Sequence, residues 1–310
     1  MRFYTIVALV LAFGTLLVIG MKSFLGPVAD SASLQNNSAS IGIAGGALSP
    51  ADPDPAPKLP VRKWDVFDPQ VNAEAVLIKS LDEDFLFFSY NTYKPWPMAS
   101  LTKLLTAVVV IENIGVGQKI PVSETAVGTE GEAGGLRSGE VYAARDLLKI
   151  MLMTSSNDAA AAFEEYAGGK EALAKLLNDK AAQIGMTGTV VYDGSGLSDS
   201  NVSSASDIAK LVRYVMEYEP EILSWTRVQT MMVQPANDAT GKQITNIDPL
   251  VTNSDFLGGK TGTSPLAKEN LASVFSFFNG RVAVIILGST NRVQEVDSLF
   301  SWVKQAYESR

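Results

Sequence analysis

The sequence predicts an α+β fold in which an antiparallel sheet is assembled from both ends of one segment and a helical lobe is inserted between them. Two observations lead to it. Strand-like apolar runs come in closely spaced pairs near both ends of the segment, whereas the middle carries runs of helical spacing with polar outer faces. The order is strands, helices, strands, helix, and a βαβ repeat would alternate the two patterns throughout.

The chain opens on "FYTIVALVLAFGTLLVIGM", Phe3 to Met21, an uncharged run between Arg2 and Lys22. At about 1.5 Å rise per residue it nearly spans a hydrocarbon core of about 30 Å. It also exceeds the roughly 7–15 apolar residues of a cleaved signal peptide. Residues 1–25 therefore read as a membrane anchor, with cleavage near Val28 to Ser33, and hence secretion, as the alternative. Residues 26–63, rich in Pro, Ser and Ala, read as a linker that is semi-stiff where prolines cluster. Residues 64–310 form the folded domain, with a helical lobe over about 105–245. Its export is expected from the N-terminal position of the anchor.

"AEAVLIKSLDEDFLFFSYN" gives two strands around the turn Asp82-Glu83-Asp84. "WPMASLTKLLTAVVVIEN", Trp96 to Asn113, reads as a helix apolar on nearly every side. Helical spacing recurs in "ARDLLKIMLMTSS", "NDAAAAFEEYAG", "GKEALAKLLNDKAAQIG" and "SASDIAKLVRYVMEYEP". "ENLASVFSFFNGRVAVIILGS" supplies two further strands around Asn279-Gly280, a pair that favours a type I′ turn. "RVQEVDSLFSWVKQAYES" predicts a last helix finishing at about Glu308.

Composition removes several chemistries. The chain of 310 residues has no histidine, no cysteine and a formal net charge of −8. A Ser-His-Asp triad, a cysteine nucleophile, a zinc site of the usual ligand types and a disulfide framework are excluded. No metal or cofactor is expected, and without a basic patch neither is nucleic acid. Catalysis must rest on Ser, Thr, Lys, Tyr, Asn or carboxylates.

Three short elements carry reactive side chains. Ser100 and Lys103, three apart on a helix, share a face, so hydroxyl and amine can meet. Burial against "LLTAVVVI" and the positive end of the helix dipole would lower the lysine pKa, and a neutral amine could take the serine proton. Alone, the pair reads first as an N-cap serine and a lysine reaching for water. In "MTSSNDAAAAF", Ser155, Ser156 and Asn157 fall between two helices and alone read as a capping cluster with Asn157 or Asp158 as N-cap. In "FLGGKTGTS", Lys260, Thr261, Gly262 and Thr263 resemble the end of a phosphate-binding loop. Ser254 stands where that loop needs its first glycine, and Pro265 with a hairpin follows instead of a helix, so nucleotide binding is excluded.

Ser-x-x-Lys, Ser-x-Asn and Lys-Thr-Gly, in this order and these contexts, are together far more specific than any one. From about Ala73 to Glu308 the chain resembles the serine D-alanyl-D-alanine carboxypeptidases, the low-molecular-mass penicillin-binding proteins of β-lactamase/transpeptidase-like fold. "ASLTKLLTA", "RSGEVYAARDLLKIMLMTSSNDAAAAF", "IGMTGTVVYDGSGLSDSNVSSASDIAKLV" and "LGGKTGT" followed by "NLASVFSF" carry the likeness. The resemblance implies that Ser100 is acylated, that Lys103 activates it, that Ser155 relays a proton to the leaving D-alanine and that Asn157 holds the substrate amide. It implies that Lys260 supplies positive potential and that Thr261 and Thr263, on either side of Gly262, hold the terminal carboxylate. The oxyanion would lie between the Ser100 and Thr263 N–H groups. Peptidoglycan stem peptides are the implied substrates, β-lactams the covalent inhibitors, and the outer side of a bacterial cytoplasmic membrane the implied location.

This sequence departs from the family pattern in places. Ser156 stands where glycine is usual, and Arg292 matches a carboxylate-binding arginine only loosely. The family's common C-terminal β domain and amphipathic anchor are not seen, and the N-terminal segment is expected to anchor instead. A DD-endopeptidase cutting cross-links would use the same residues, and a non-catalytic wall-binding scaffold would keep the fold. A β-lactamase would need a deacylating glutamate, which "EYEPEIL" imitates without the following asparagine; Glu219 and Glu221 read instead as exposed residues at a helix end.

Overall fold

The computed structural model describes residues 59–308 other than 132 and 279. The apolar N-terminal run, the linker as far as residue 58 and the Asn279 turn position lie outside the described residues. Among the described residues no helix is long and apolar enough to cross a membrane.

Five strands form the central sheet: β1 (Ala75–Ser80), β2 (Leu86–Tyr90), β3 (Phe256–Ser264), β4 (Lys268–Phe277) and β5 (Gly280–Ser289). Their order is β3-β4-β5-β1-β2 and every pairing is antiparallel. The two predicted hairpins meet where β5 pairs with β1, Val284 opposite Ile78. Strand alternation explains why these runs are apolar throughout: Leu77, Val274 and Ile285 join one core, and Val76, Phe275 and Val284 join the other. Both faces are therefore covered, one by the inserted lobe and one by the last helix.

The helices of six or more residues are α1 (Thr102–Val109), α2 (Ala144–Met153), α3 (Asn157–Tyr166), α4 (Lys170–Gln183), α5 (Ala205–Tyr218), α6 (Glu221–Thr226) and α7 (Arg292–Ala306). The inserted lobe is not wholly helical, because Lys119–Pro121 pairs with Val141–Ala143 and Thr230–Val233 with Lys242–Thr245.

Further details differ from expectation: the helix expected from Trp96 begins only after Pro97, because Trp96–Pro97 is extended and pairs with Val202–Ser203. Helix α7 stops at Ala306, and Tyr307–Glu308 turns extended to pair with Val61–Arg62. The Tyr307 ring meets Phe87 edge-on at 5.0 Å and its hydroxyl donates to the Phe87 carbonyl at 2.8 Å, contacts that outweigh another half-turn of helix. That pairing brings Val61 and Arg62 into the folded body although they read as linker. In "EYEPEIL", Pro220 ends one helix and starts α6, and Glu219 and Glu221 are half-buried instead of exposed. Glu221 pairs with Arg145, while burial and the neighbouring Glu112 push the Glu219 carboxyl up.

Candidate active site

The nucleophile candidate stands at the entry to α1, whose Leu104, Leu105 and Val108 lock it into the core. Ser100 is not an N-cap: it lies in a 3₁₀ turn, Ala99–Leu101, that runs directly into α1 without a side-chain cap. Ala99 is held in the left-handed region at φ 46°. A loop presses on it there, since a Cβ on Gly196 would come 1.9 Å from the Ala99 carbonyl oxygen.

Lys103 is fully buried, and its Nζ lies 2.9 Å from Ser100 Oγ, 2.7 Å from Asn157 Oδ1 and 2.6 Å from the Ser195 carbonyl oxygen. Burial, aided by the positive Lys260, holds the amine well below the usual lysine range, against the opposing charges of Asp193 and Glu164. A neutral amine has two N–H donors, which Asn157 and Ser195 accept. Its lone pair then faces the Ser100 hydroxyl, the arrangement a general base requires.

The sequence suggests Asn157 or Asp158 as the cap of α3, but the cap is Ser156, whose Oγ accepts the Ala159 N–H at 3.1 Å. A serine in the usual glycine slot thus leaves the Asn157 amide free for Lys103 and for the Glu130 carbonyl, to which Nδ2 donates at 2.8 Å. Ser155 is also left-handed, at φ 60°, which turns its hydroxyl to Lys260 Nζ, 2.9 Å away.

Lys260 comes from β3, donates to the Thr261 carbonyl at 2.9 Å and is fully buried. Burial brings its pKa down to about 7, with Asp248 opposing and Arg292 assisting the shift. The strand reaches the start of α1 only because Gly262 lacks a side chain: a Cβ there would lie 2.9 Å from the Met98 oxygen and 3.2 Å from the Ser100 nitrogen. Thr263, exposed one residue on, is bonded through Oγ1 by the Arg292 guanidinium, which also donates to the Gly262 carbonyl at 3.2 Å. The loosely matched arginine therefore does reach the strand end.

The structure thus brings Ser100, Lys103, Ser155, Asn157, Lys260, Thr263 and Arg292 to one cleft between sheet and lobe. The missing part was the loop after Tyr192. Asp193 accepts the N–H groups of Ser195, Gly196 and Ser198 at 2.9, 2.6 and 2.7 Å, and this fixes the carbonyl that Lys103 uses. The run "DGSGLS" shows loop chemistry in the sequence, but a backbone acceptor leaves no residue type to read. Size does not locate the site either: a cavity of about 660 Å³ beside β2 and α5 shares none of these residues. Among the described residues no His, Cys, Asp or Glu group is placed to hold a metal ion.

The arrangement can perform acyl transfer: a nucleophile one turn from a depressed-pKa base, a second amine and hydroxyl opposite, and a cation at one end. Comparisons with known proteins agree. The D-alanyl-D-alanine carboxypeptidase family, peptidase S11, matches residues 63–291. A D-alanyl-D-alanine endopeptidase from Pseudomonas aeruginosa is 32% identical over 206 residues, 63% of this chain and 63% of that protein's own length. D-alanyl-D-alanine carboxypeptidase DacB2 from Mycobacterium tuberculosis is 27% identical over 81% of this chain and 87% of its own. The crystal structure of a D-alanyl-D-alanine carboxypeptidase from Mycobacterium tuberculosis H37Rv superposes with a TM-score of 0.72 at 25% identity, covering 80% of this chain and 99% of that one. With the three motifs converging on one cleft and the family matched across most of the folded region, the chain belongs to the D-alanyl-D-alanine carboxypeptidase family of serine peptidases.

Proposed function

We propose that the protein is a DD-carboxypeptidase that removes the terminal D-alanine from peptidoglycan stem peptides through an ester on Ser100. The contact of Lys103 Nζ with Ser100 Oγ at 2.9 Å, in a site that depresses the amine pKa, carries this reading. Ser100 Oγ attacks the carbonyl carbon of the penultimate D-alanine as its proton passes to Lys103, and the oxyanion is received by the Ser100 and Thr263 N–H groups. The C–N bond then breaks, and the departing amine takes through Ser155, which Lys260 orients, the proton that Lys103 had accepted. Thr261, Thr263 and Arg292 bind the carboxylate of the leaving D-alanine. Water cleaves the ester with Lys103 again as base, and a β-lactam would be trapped at the ester stage.

Cleavage of cross-links is the second reading, favoured by the name of the Pseudomonas aeruginosa relative. The same residues would serve, since only the leaving group differs. The residue 3–21 segment would hold the enzyme on the outer face of a cytoplasmic membrane, and fractionation with protease accessibility tests that. To test the activity, the full chain and Ser100→Ala are incubated with monomeric and cross-linked muropeptides and the products weighed by mass spectrometry. Loss of one D-alanine from monomers, absent in Ser100→Ala, is expected; cleavage of cross-links alone would replace the first reading by the second. A chain that binds muropeptides but neither cleaves them nor is acylated by penicillin would be a scaffold, and rapid penicillin turnover would make it a β-lactamase.

A further inference from the structure

The cavity of about 660 Å³ beside β2 and α5 takes no part in the reactive cleft, yet its volume lies in the range usual for small-molecule sites. The α5 side chains that line it, from Ser206 to Tyr218, share one helical face. At about 1.5 Å per residue they make it a trough roughly 18 Å long. Leu77, Leu81, Ile184 and Ala209 give it apolar walls. Tyr93 and Tyr218 stand over it 80% and 62% exposed, and the Tyr218 ring lies 4.6 Å from that of Tyr214. Aromatic faces left open around a concave surface mark a place where something binds.

The polar groups of the trough fall into two sets. The cations are already committed: Lys79 and Arg213 both hold Asp84, at 2.6 and 3.1 Å, and Lys210 holds Asp207 at 2.7 Å. With Glu217 beside them, three cations meet three acids, so the trough offers little net charge to an ionic ligand. The neutral groups are uncommitted: the side chains of Ser89, Thr92, Gln183 and Ser206 make no hydrogen bond among the described residues. Free hydroxyls and an amide, balanced charge and open aromatic faces suit a neutral, polyhydroxylated ligand. A pyranose ring has C–H faces for the tyrosines and hydroxyls for Ser, Thr and Gln. A peptide added as a strand to β2 fits less well, because the Tyr307 hydroxyl already takes the Phe87 carbonyl at 2.8 Å.

We propose that this trough binds an oligosaccharide, with Tyr93 and Tyr218 stacked on sugar faces. That the saccharide is the glycan carrying the stem peptides rests on the DD-peptidase reading above; the saccharide chemistry stands without it. The distances allow both sites to serve one polymer. Tyr93 precedes Ser100 by seven residues, so the two lie at most about 25 Å apart. A glycan held in the trough turns capture of its own stem peptides by Ser100 into an intramolecular event and raises their effective concentration there.

The test titrates the full chain calorimetrically with chitotetraose, four β-linked N-acetylglucosamine units, before and after treatment with benzylpenicillin. Binding is expected in both states, since the trough shares no residue with the cleft that penicillin fills. Tyr93→Ala and Tyr218→Ala should each weaken it roughly tenfold, the scale of losing an aromatic anchor. Both should leave the penicillin acylation rate unchanged, which also shows that the fold is kept. On stem peptides still joined to glycan the two variants should lower kcat/KM, and on the free pentapeptide they should not. No binding of chitotetraose, binding abolished by acylation, or an affinity unmoved by both substitutions would overturn the trough as a saccharide site. Equal effects on joined and free peptides would overturn the wall glycan as its ligand. Absence of Ser100-dependent acylation would sink the DD-peptidase reading, and titration of the untreated chain and its tyrosine variants would still decide the saccharide site.

Discussion

Lys103 and Lys260 are both buried amines, and the proposed mechanism gives them opposite tasks. Lys103 is depressed by burial and by the charge of Lys260, and must be neutral to accept the Ser100 proton. Arginine stays charged at any working pH, so Lys103→Arg should lower the rate of penicillin acylation by about 10²–10⁴-fold, read by the mass of the adduct over time. Lys260 must be charged to attract a carboxylate, and its value is about 7. The acylation kcat/KM should therefore rise as pH passes upward through the Lys103 value and fall as Lys260 loses its proton above about 7. Asp248 raises Lys260, so Asp248→Asn should start the alkaline fall at lower pH, while an unmoved limb would remove Lys260 from the profile. At this scale the side chains were legible and the backbone was not. Ser100 and Lys103 announce themselves by one helical turn, whereas the Ser195 carbonyl depends on how Asp193 folds its loop.

At the scale of elements, the site is made by the approach of β3 to the start of α1. Gly262 sets that distance, with room for no Cβ against Met98 and Ser100. Gly262→Ala should push strand and turn apart and reduce acylation by about 10²-fold, the cost of a displacement near 1 Å, with circular dichroism unchanged. Wild-type acylation rates in that variant would mean the oxyanion is held elsewhere. The strands and most helices were legible because burial on both faces demands continuous apolar runs and an amphipathic helix has its own period. Helix ends were less so. Ser156 caps α3 because of where its hydroxyl points, and Tyr307 leaves α7 because a pocket at Phe87 receives its ring.

For the whole molecule, stability and chemistry lie on opposite faces of the sheet. The core around Ser100 and Lys103 includes Leu104 and Leu105, whereas Tyr307 belongs to the core beneath α7 with Phe87 and Trp302. Tyr307→Ala should destabilise the protein by about 3–4 kcal/mol in denaturant titration, yet leave the penicillin acylation rate at 25 °C unchanged. A parallel loss of rate would show that the two faces are coupled. The two-layer plan was legible from the order of strands and helices, but the Val61–Arg62 pairing was not, because two residues carry no pattern.

The pairing of β5 with β1 joins distant parts of the chain: Arg281 and Asp82 are 199 positions apart, yet the Arg281 N–H donates to Asp82 at 2.6 Å. During synthesis, β1 and β2 must wait as an apolar hairpin with a free edge, the kind of ribbon that recruits wrong partners. Closing so long a loop makes folding slow. Lys260 and Arg292 stand before and after the last two strands of the sheet, so on the proposed mechanism a chain that stops short of them lacks part of its site. On the proposed function, reactivity towards penicillin would report that the chain has been made past Arg292 and that the sheet has closed.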